Sequence, residues 1–341
     1  MTNQKTLITG ISGFIAGHLA RTLANDGIEV IGSGRRPPEG REVAAACRFV
    51  PMDIRDFDAT LDVFTQEKPR VVYHLAAMSF LHAAVTDGPR AMLETNVAGT
   101  WNVLEACRRA EVPVVVVASS DKQYGALAAP PYDDSDTTAF QNGGVYELSK
   151  AQQDQTARLY AGLYDIPALR VARLVNVYGP GDLQWTRIVP GNIRRTFLGE
   201  RPRITAGRAG EALREYLFVD DAVTALRRLA QDSHERGNAP LRREDGKLAR
   251  VAYNLPSGHK FAAGEVIAAI QQVMREDFGI VSPEPEVLPG TPGVFEPGSQ
   301  FTDDAKFRSL LPQWSPRDLQ AGLRATVPWY LDFFRQQSLL P

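Results

Sequence analysis

Apolar residues in the first third of the chain follow two alternating rhythms. Short β-branched or wholly apolar runs stand at Thr6–Thr9, Glu29–Ile31, Arg48–Val50, Val71–Leu75 and Val114–Val117. Between them lie segments whose apolar positions recur every three to four residues, among them His18–Asn25 and Thr95–Arg109. Strands alternating with helices at this spacing predict βαβ units, and hence a parallel sheet covered on both faces. The run Val114-Val115-Val116-Val117 is apolar at every position, as a central strand buried on both sides requires. The expected fold class is α/β, a doubly wound parallel sheet.

The alternation fades further on. Val171–Tyr178 still reads as a strand, but after Gly181 the βα rhythm is lost, and Phe218–Leu229 reads as a strand end and helix returning to the first lobe. An amphipathic helix at Ala263–Glu276, a Pro-rich stretch over Pro283–Gly298 and a last helix at Leu319–Phe334 follow. Two lobes are therefore expected, one from residues 1–180 and 215–258 and a smaller mixed α/β one from residues 181–214 and 259–341. The second should cap the carboxyl edge of the sheet, where α/β proteins hold ligands.

Composition narrows the function. Of 341 residues, 44% are hydrophobic and 23% charged, a globular balance, and 38 Lys+Arg against 40 Asp+Glu leave a formal charge of -2. That supplies no basic field for a phosphate backbone, so nucleic acid is not an expected partner. The two cysteines, Cys47 and Cys107, form no CxxC pair, and the five histidines (His18, His74, His82, His234, His259) show no metal-ligand spacing. No disulfide framework and no catalytic metal are expected. The opening Met1–Lys5 lacks the apolar run of a signal peptide, and no stretch approaches ~18 uninterrupted apolar residues. The expectation is a cytoplasmic protein without a membrane partner.

Thr9-Gly10-Ile11-Ser12-Gly13-Phe14-Ile15-Ala16-Gly17 lies directly after a predicted strand and before a predicted helix. In that context the first glycine permits a tight turn, the second lets backbone approach a pyrophosphate, and the small third position lets helix and strand pack closely. The first lobe thus reads as a Rossmann-like dinucleotide-binding domain. About 20 residues beyond the turn, where an acid would hold a ribose 2′-hydroxyl, the chain has Gly34-Arg35-Arg36. Two arginines suit a 2′-phosphate, so NADP is expected, with NAD the alternative. Asp53, after the third strand, fits either a contact to the adenine ring or a plain turn.

A second constellation is Tyr146-Glu147-Leu148-Ser149-Lys150, with Ser120 at the end of the Val114–Val117 strand. Positions i and i+4 share a helix face, so Lys150 can lie beside Tyr146. A nearby ammonium favours tyrosinate and should bring the phenol down from about 10 toward neutrality. Such a tyrosine can take the proton of a hydroxyl whose carbon gives up hydride, with Ser120 hydrogen-bonding the same oxygen.

At this point the chain resembles the extended short-chain dehydrogenase/reductase family, the NAD-dependent epimerases and dehydratases that modify nucleotide sugars. The resemblance runs over nearly the whole length: TGxxGFIAG at 9–17, DIRD at 53–56, HLAA at 74–77, TNVAGTWNVLEA at 95–106, SSDKQYG at 119–125, YxxxK at 146–150, RLVNVYGPGD at 173–182, LREYLFVDDA at 213–222 and YNLPSG at 253–258. It implies a nucleotide-sugar enzyme whose cofactor touches Gly10, Ser12, Gly13, Phe14, Ile15, Arg35, Arg36, Asp53, Ile54, Leu75, Ala76, Ala77, Tyr146 and Lys150. It implies Ser120, Tyr146 and Lys150 as the hydride-transfer set, Ser79, Asn176, Arg187 and Arg214 as sugar-nucleotide contacts, and a second lobe that binds the sugar nucleotide. The pair after the serine, Asp121-Lys122, is similar to that of CDP-glucose 4,6-dehydratases, in which these two positions carry the loss of water. The resemblance thus points to a 4,6-dehydratase, with a 4-epimerase, a 4-ketoreductase or a non-catalytic NADP-binding regulator as alternatives. It also implies a homodimer, paired through the helices around Met92–Arg109 and Glu147–Tyr164.

Overall fold

The computed structural model describes residues 5–38, 40–78, 88–125, 131, 144–164, 166–205, 211–238, 250–289 and 298–337. Ser79 and His82 lie outside them. The strands, in chain order, are β1 (Thr6–Thr9), β2 (Val30–Gly34), β3 (Arg48–Pro51), β4 (Val71–His74), β5 (Val114–Ser120), β6 (Ala168–Leu174), β7 (Asn176–Tyr178), β8 (Arg203–Thr205), β9 (Arg214–Phe218), β10 (Ala252–Leu255), β11 (Lys260–Phe261) and β12 (Glu286–Leu288).

Seven of them form one parallel sheet in the order β10-β6-β5-β4-β1-β2-β3. The order runs outward in opposite directions from β1 and β4, which opens a crevice at their carboxyl ends. This is the expected Rossmann-like doubly wound α/β sheet. The period of two along each strand divides its apolar residues between two layers. Ile8, Tyr73, Val114 and Val116 pack with Leu19, Leu23, Leu226 and Leu229 on one face. Leu7, Val72, Val115 and Val117 pack with Phe64, Val103, Leu104 and Ala157 on the other. The C-terminal segments add a three-stranded sheet, β11-β9-β7, and a parallel pair, β12-β8. A third core of Tyr178, Ile193, Phe218, Ile270, Leu323, Tyr330 and Phe334 holds them to the Ile188–Phe197, Ala263–Phe278 and Leu319–Gln336 helices.

Two sequence expectations change in detail. Val171–Tyr178 is not one strand: β6 ends at Leu174, and β7 pairs with β9 in the other sheet. The chain thus passes from one sheet to the other at Val175, which lines the cleft described below. The helix expected over Thr95–Arg109 starts earlier and is interrupted, running Gly88–Leu93, then a π-helical turn at Glu94–Ala98, then Gly99–Arg109. The turn brings Asn96 against the backbone of Met78, where its amide accepts from Met78 N at 2.7 Å and donates to Met78 O at 3.0 Å. A residue inserted into a helix to aim one side chain is a common use of such a turn.

Candidate active site

The first glycine of the turn has φ +73°, and a Cβ on it would stand 2.7 Å from Ala76 Cα. Only glycine accommodates both. Thr9 holds the opposing segment in place, its hydroxyl oxygen accepting from Leu75 N at 3.2 Å and Ala76 N at 3.1 Å. Gly13 then caps the Phe14–Asn25 helix without a side-chain cap bond, and the first helical turn carries no acid. Its N–H groups are left for an anion, and Cβ-free backbone at Gly10 and Gly13 gives a phosphate room to approach. The turn therefore fits the pyrophosphate of a dinucleotide.

The turn opens into a cleft of about 790 Å³. Every described residue named from the sequence lines it: Gly10, Ser12, Gly13, Phe14, Ile15, Arg35, Arg36, Asp53, Ile54, Leu75, Ala76 and Ala77 toward one end, Ser120, Asp121, Lys122, Tyr146 and Lys150 on its floor, and Asn176, Arg187 and Arg214 on the C-terminal wall. Arg35 and Arg36 are exposed at the end of β2. Asp53 lines the cleft from within a turn, its carboxylate accepting from Arg55 N at 3.0 Å and from Arg55 Nη2 at 2.6 Å. The Arg55 hydrogen bond holds that carboxyl below the usual range.

On the floor, β5 ends at Ser120, which caps a short 3₁₀ turn over Asp121–Tyr124. Ser120 Oγ donates to Asp121 Oδ1 at 3.0 Å, and Lys122 Nζ donates to Asp121 Oδ2 at 2.9 Å. Asp121 is buried while the pair still borders the cleft. Tyr146 opens the Val145–Leu163 helix and lines the same cleft as Ser120. Two groups that were not singled out position this helix: Asn96 Nδ2 donates to Ser149 Oγ at 2.9 Å, and Ser149 Oγ donates to the Tyr146 carbonyl at 2.7 Å.

The phenol departs from expectation. Burial and the Asp121 carboxylate push its pKa up, against the pull of Arg187 and Ser120. Lys150 Nζ donates to Gln153 Oε1 at 2.6 Å and Ala118 O at 3.2 Å, and burial lowers its own pKa to about 8. Proximity along the helix gave the right face, but desolvation outweighs it in the protein by itself.

The C-terminal wall is built from donors already engaged with the protein. Asn176 Nδ2 donates to Glu215 O at 3.0 Å, and Arg214 Nη1 to Gly298 O at 2.6 Å. Arg187, at the start of the Ile188–Phe197 helix, pairs with buried Asp182 at 2.9 Å. Asp182 also lines the cleft and went unassigned, although it closes the GPGD run. Among the described residues no cluster of three His, Cys, Asp or Glu side chains could hold a metal, and no helix is long and apolar enough to cross a membrane.

Comparison with known proteins agrees with this geometry. The family model described as the NAD dependent epimerase/dehydratase family matches residues 6–239. A UDP-glucose 4-epimerase of Mycolicibacterium smegmatis is 31% identical over 98% of this chain and 100% of its own length. The dTDP-glucose 4,6-dehydratase 1 of Escherichia coli K12 is 28% identical over 96% of this chain and 93% of its own. Among solved structures, MoeE5 in complex with UDP-glucose and NAD superposes with a TM-score of 0.78 at 26% identity, covering 97% of this chain and 99% of that one. A parallel sheet with its crevice at the β1/β4 switch, a glycine turn fitted to a pyrophosphate and a match over most of the chain together place this protein in the NAD-dependent epimerase/dehydratase family.

Proposed function

We propose that the protein is a nucleotide-sugar 4,6-dehydratase. The observation that carries this reading is the Asp121–Lys122 pair, set on the cleft floor directly after Ser120 and beside Tyr146. An exchange of configuration at C4 needs, of the residues on the floor, only the hydride-transfer set Ser120, Tyr146 and Lys150 beside a hydride acceptor. Elimination of water needs in addition a base for one carbon-bound proton and an acid for the departing hydroxyl.

Tyr146 takes the proton of the sugar's C4 hydroxyl, while Ser120 hydrogen-bonds the same oxygen. A nicotinamide cofactor, held at the Gly10–Gly13 turn, would accept the hydride and return it, and its positive charge would favour tyrosinate, in the direction burial opposes. With C4 a carbonyl, the C5 proton becomes acidic, and Asp121 and Lys122 support its removal and the protonation of the C6 hydroxyl. Lys122 Nζ donates to Asp121 Oδ2 at 2.9 Å, which sets a carboxyl and an amino group side by side on the cleft floor. The product would be a 4-keto-6-deoxy sugar, formed with no net reductant consumed. A panel of sugar nucleotides analysed by mass spectrometry tests the assignment: a product lighter by one water supports it, and an isobaric product favours the 4-epimerase reading, which the similarity to the Mycolicibacterium smegmatis enzyme keeps in view. A 4-ketoreductase would instead consume reduced cofactor. Absence of turnover across the panel would favour a non-catalytic regulator.

The cofactor we propose is NADP. Gly34 offers no carboxylate to a 2′-hydroxyl, Arg35 and Arg36 face the cleft, and Asp53 is engaged by Arg55 and so repels a 2′-phosphate less. The relative solved with NAD makes NAD the competing outcome, and calorimetry with both cofactors decides. For the assembly we propose a homodimer. The Gly99–Arg109 and Val145–Leu163 helices leave Trp101 48% and Leu163 68% exposed, with Leu159 and Tyr164 beside them. Such a surface suits C2 pairing, and light scattering reads the mass directly. A cytoplasmic location accords with this chemistry and is tested by fractionation.

A further inference from the structure

Hydrogen-bond accounting fixes the orientation of a buried amide behind the reacting groups. Thr100 Oγ1 has one proton, which it donates to the Asn96 carbonyl at 2.7 Å. The same oxygen therefore accepts from Gln153 Nε2 at 2.9 Å and from His74 Nε2 at 2.9 Å. With its nitrogen committed to Thr100, Gln153 must present Oε1 to Lys150 Nζ, at 2.6 Å. His74 completes the chain by accepting at Nδ1 from Thr9 Oγ1 at 2.8 Å, and burial keeps its ring neutral, with a pKa of about 3. Gln153, Thr100, His74 and Thr9 are all fully buried, so water does not compete for these bonds.

The other groups around Lys150 are few. Asp154 on the same helix favours its charged form, but Asp154 is itself paired with Arg173 of β6 at 2.8 Å. The Ala118 carbonyl of β5 accepts at 3.2 Å, Tyr146 lies one turn back, and neutral His74 approaches from β4.

We propose that Gln153 is a positioning residue: its fixed carbonyl oxygen holds Lys150 at the cleft floor as an ammonium and so sets the pH range over which Tyr146 works. The inference rests on the reading of Lys150 as the cation serving Tyr146, but its first test involves no substrate. In protein freed of nucleotide, Lys150 titrates from about 8. Above that pH the unfolded chain alone binds the proton, so stability begins to rise there.

A hydrogen bond to a charged group commonly changes proton affinity about tenfold. Gln153→Met should therefore lower the pH of this onset by about one unit, and Gln153→Glu should raise it. The alkaline limb of the hydride step, read as reduced-nicotinamide absorbance in a single turnover, should move in the same two directions, with KM for the sugar nucleotide held within about twofold. A purely structural glutamine would lower stability equally at every pH. An onset and a limb that stay within about 0.3 of the parent in both variants overturn the proposal, as does an onset that persists in Lys150→Met. If instead no sugar nucleotide turns over while the onset shifts as stated, the functional reading and its Tyr146 pH range fail, and only the hold of Gln153 on Lys150 stands.

Discussion

Removing the guanidinium of Arg173 should unsettle the molecule in a way that depends on pH. Arg173 and Asp154 are both buried, joined by Nη2 to Oδ1 and Nε to Oδ2 at 2.8 Å each, and Arg173 Nη1 also donates to the Tyr124 hydroxyl at 2.8 Å. Burial raises the Asp154 pKa, and Arg173, by charge and by hydrogen bond, more than offsets it, with Arg158 assisting, so the carboxyl is held below the usual carboxylate range. A carboxylate depressed in this way contributes stability that is present above its ordinary pKa and is lost as pH falls. Arg173→Met leaves the carboxylate buried with Arg158 as remaining support, and breaking one side of such a pair costs about 3–5 kcal/mol. At about 2.1 cal/mol/K per residue, a chain of 341 residues converts about 4 kcal/mol into about 6 °C of Tm. The sign of the pH dependence then reverses. With its main opponent gone, burial outweighs the remaining support and the Asp154 pKa lies above its ordinary value, so protonation relieves the variant, and its deficit should shrink by about 1 kcal/mol or more between pH 8 and pH 5. Denaturant unfolding of parent and variant at both pH values measures this difference. Equal deficits at the two values, or a deficit below about 1 kcal/mol at pH 8, would refute the reasoning.

Three further outcomes follow from the site. Tyr146→Phe should abolish every step, whereas Asp121→Asn or Lys122→Met should slow water loss by about 10²–10⁴ and let reduced cofactor accumulate with a 4-keto sugar; dehydration at the parent rate in both pair variants would move the epimerase reading ahead. Gly10→Ala forces a Cβ to within 2.7 Å of Ala76 Cα at a φ of +73°, and calorimetry should find cofactor binding lost together with about 2 kcal/mol or more of stability. Glu215, which accepts from Thr302 N and Gly258 N, has its pKa raised to about 7, chiefly by burial. An acid raised in the folded state makes stability fall as pH rises from about 4.5 to about 7, and Glu215→Gln should flatten that slope in Tm measured across the range.

What the sequence disclosed depended on whether the informative residues are neighbours in the chain. The glycine turn and Tyr146–Lys150 are contiguous or one helical turn apart, and their type and spacing carry their geometry. Arg170 and Arg173 show the opposite case. In Ala168–Leu174 they read as polar interruptions of a strand, yet both are fully buried, satisfied by Asp232 and Asp154 from helices on either face of the sheet. Such partners have no local signature. Asn96 went unassigned for the same reason, since its meaning lies in a bond to Ser149, 53 residues away, whereas Gln153 and Asp182 lie near their partners Lys150 and Arg187 but carry no spacing that distinguishes them from other polar residues. The break at Val175 was hidden because an apolar residue continues the pattern on both sides while the pairing changes sheets. The Tyr146 phenol was misjudged because spacing reports proximity and is silent on desolvation.

The pairing of β10 with β6 has a consequence for the nascent chain. All the strands from β1 to β6 have been made once residue 174 is synthesised, but the neighbour that covers β6 is residues 252–255. Until the intervening segment emerges, β6 is an open edge with unpaired backbone donors and acceptors, the surface on which chains mispair with one another. Arg170 waits as well, because Asp232 lies 62 residues downstream. Closing so long a loop is slow relative to local helix formation. Translation that stalls between β6 and β10 should therefore yield a sticky, chaperone-dependent species, and truncation before Ala252 should yield aggregates in place of a smaller soluble domain.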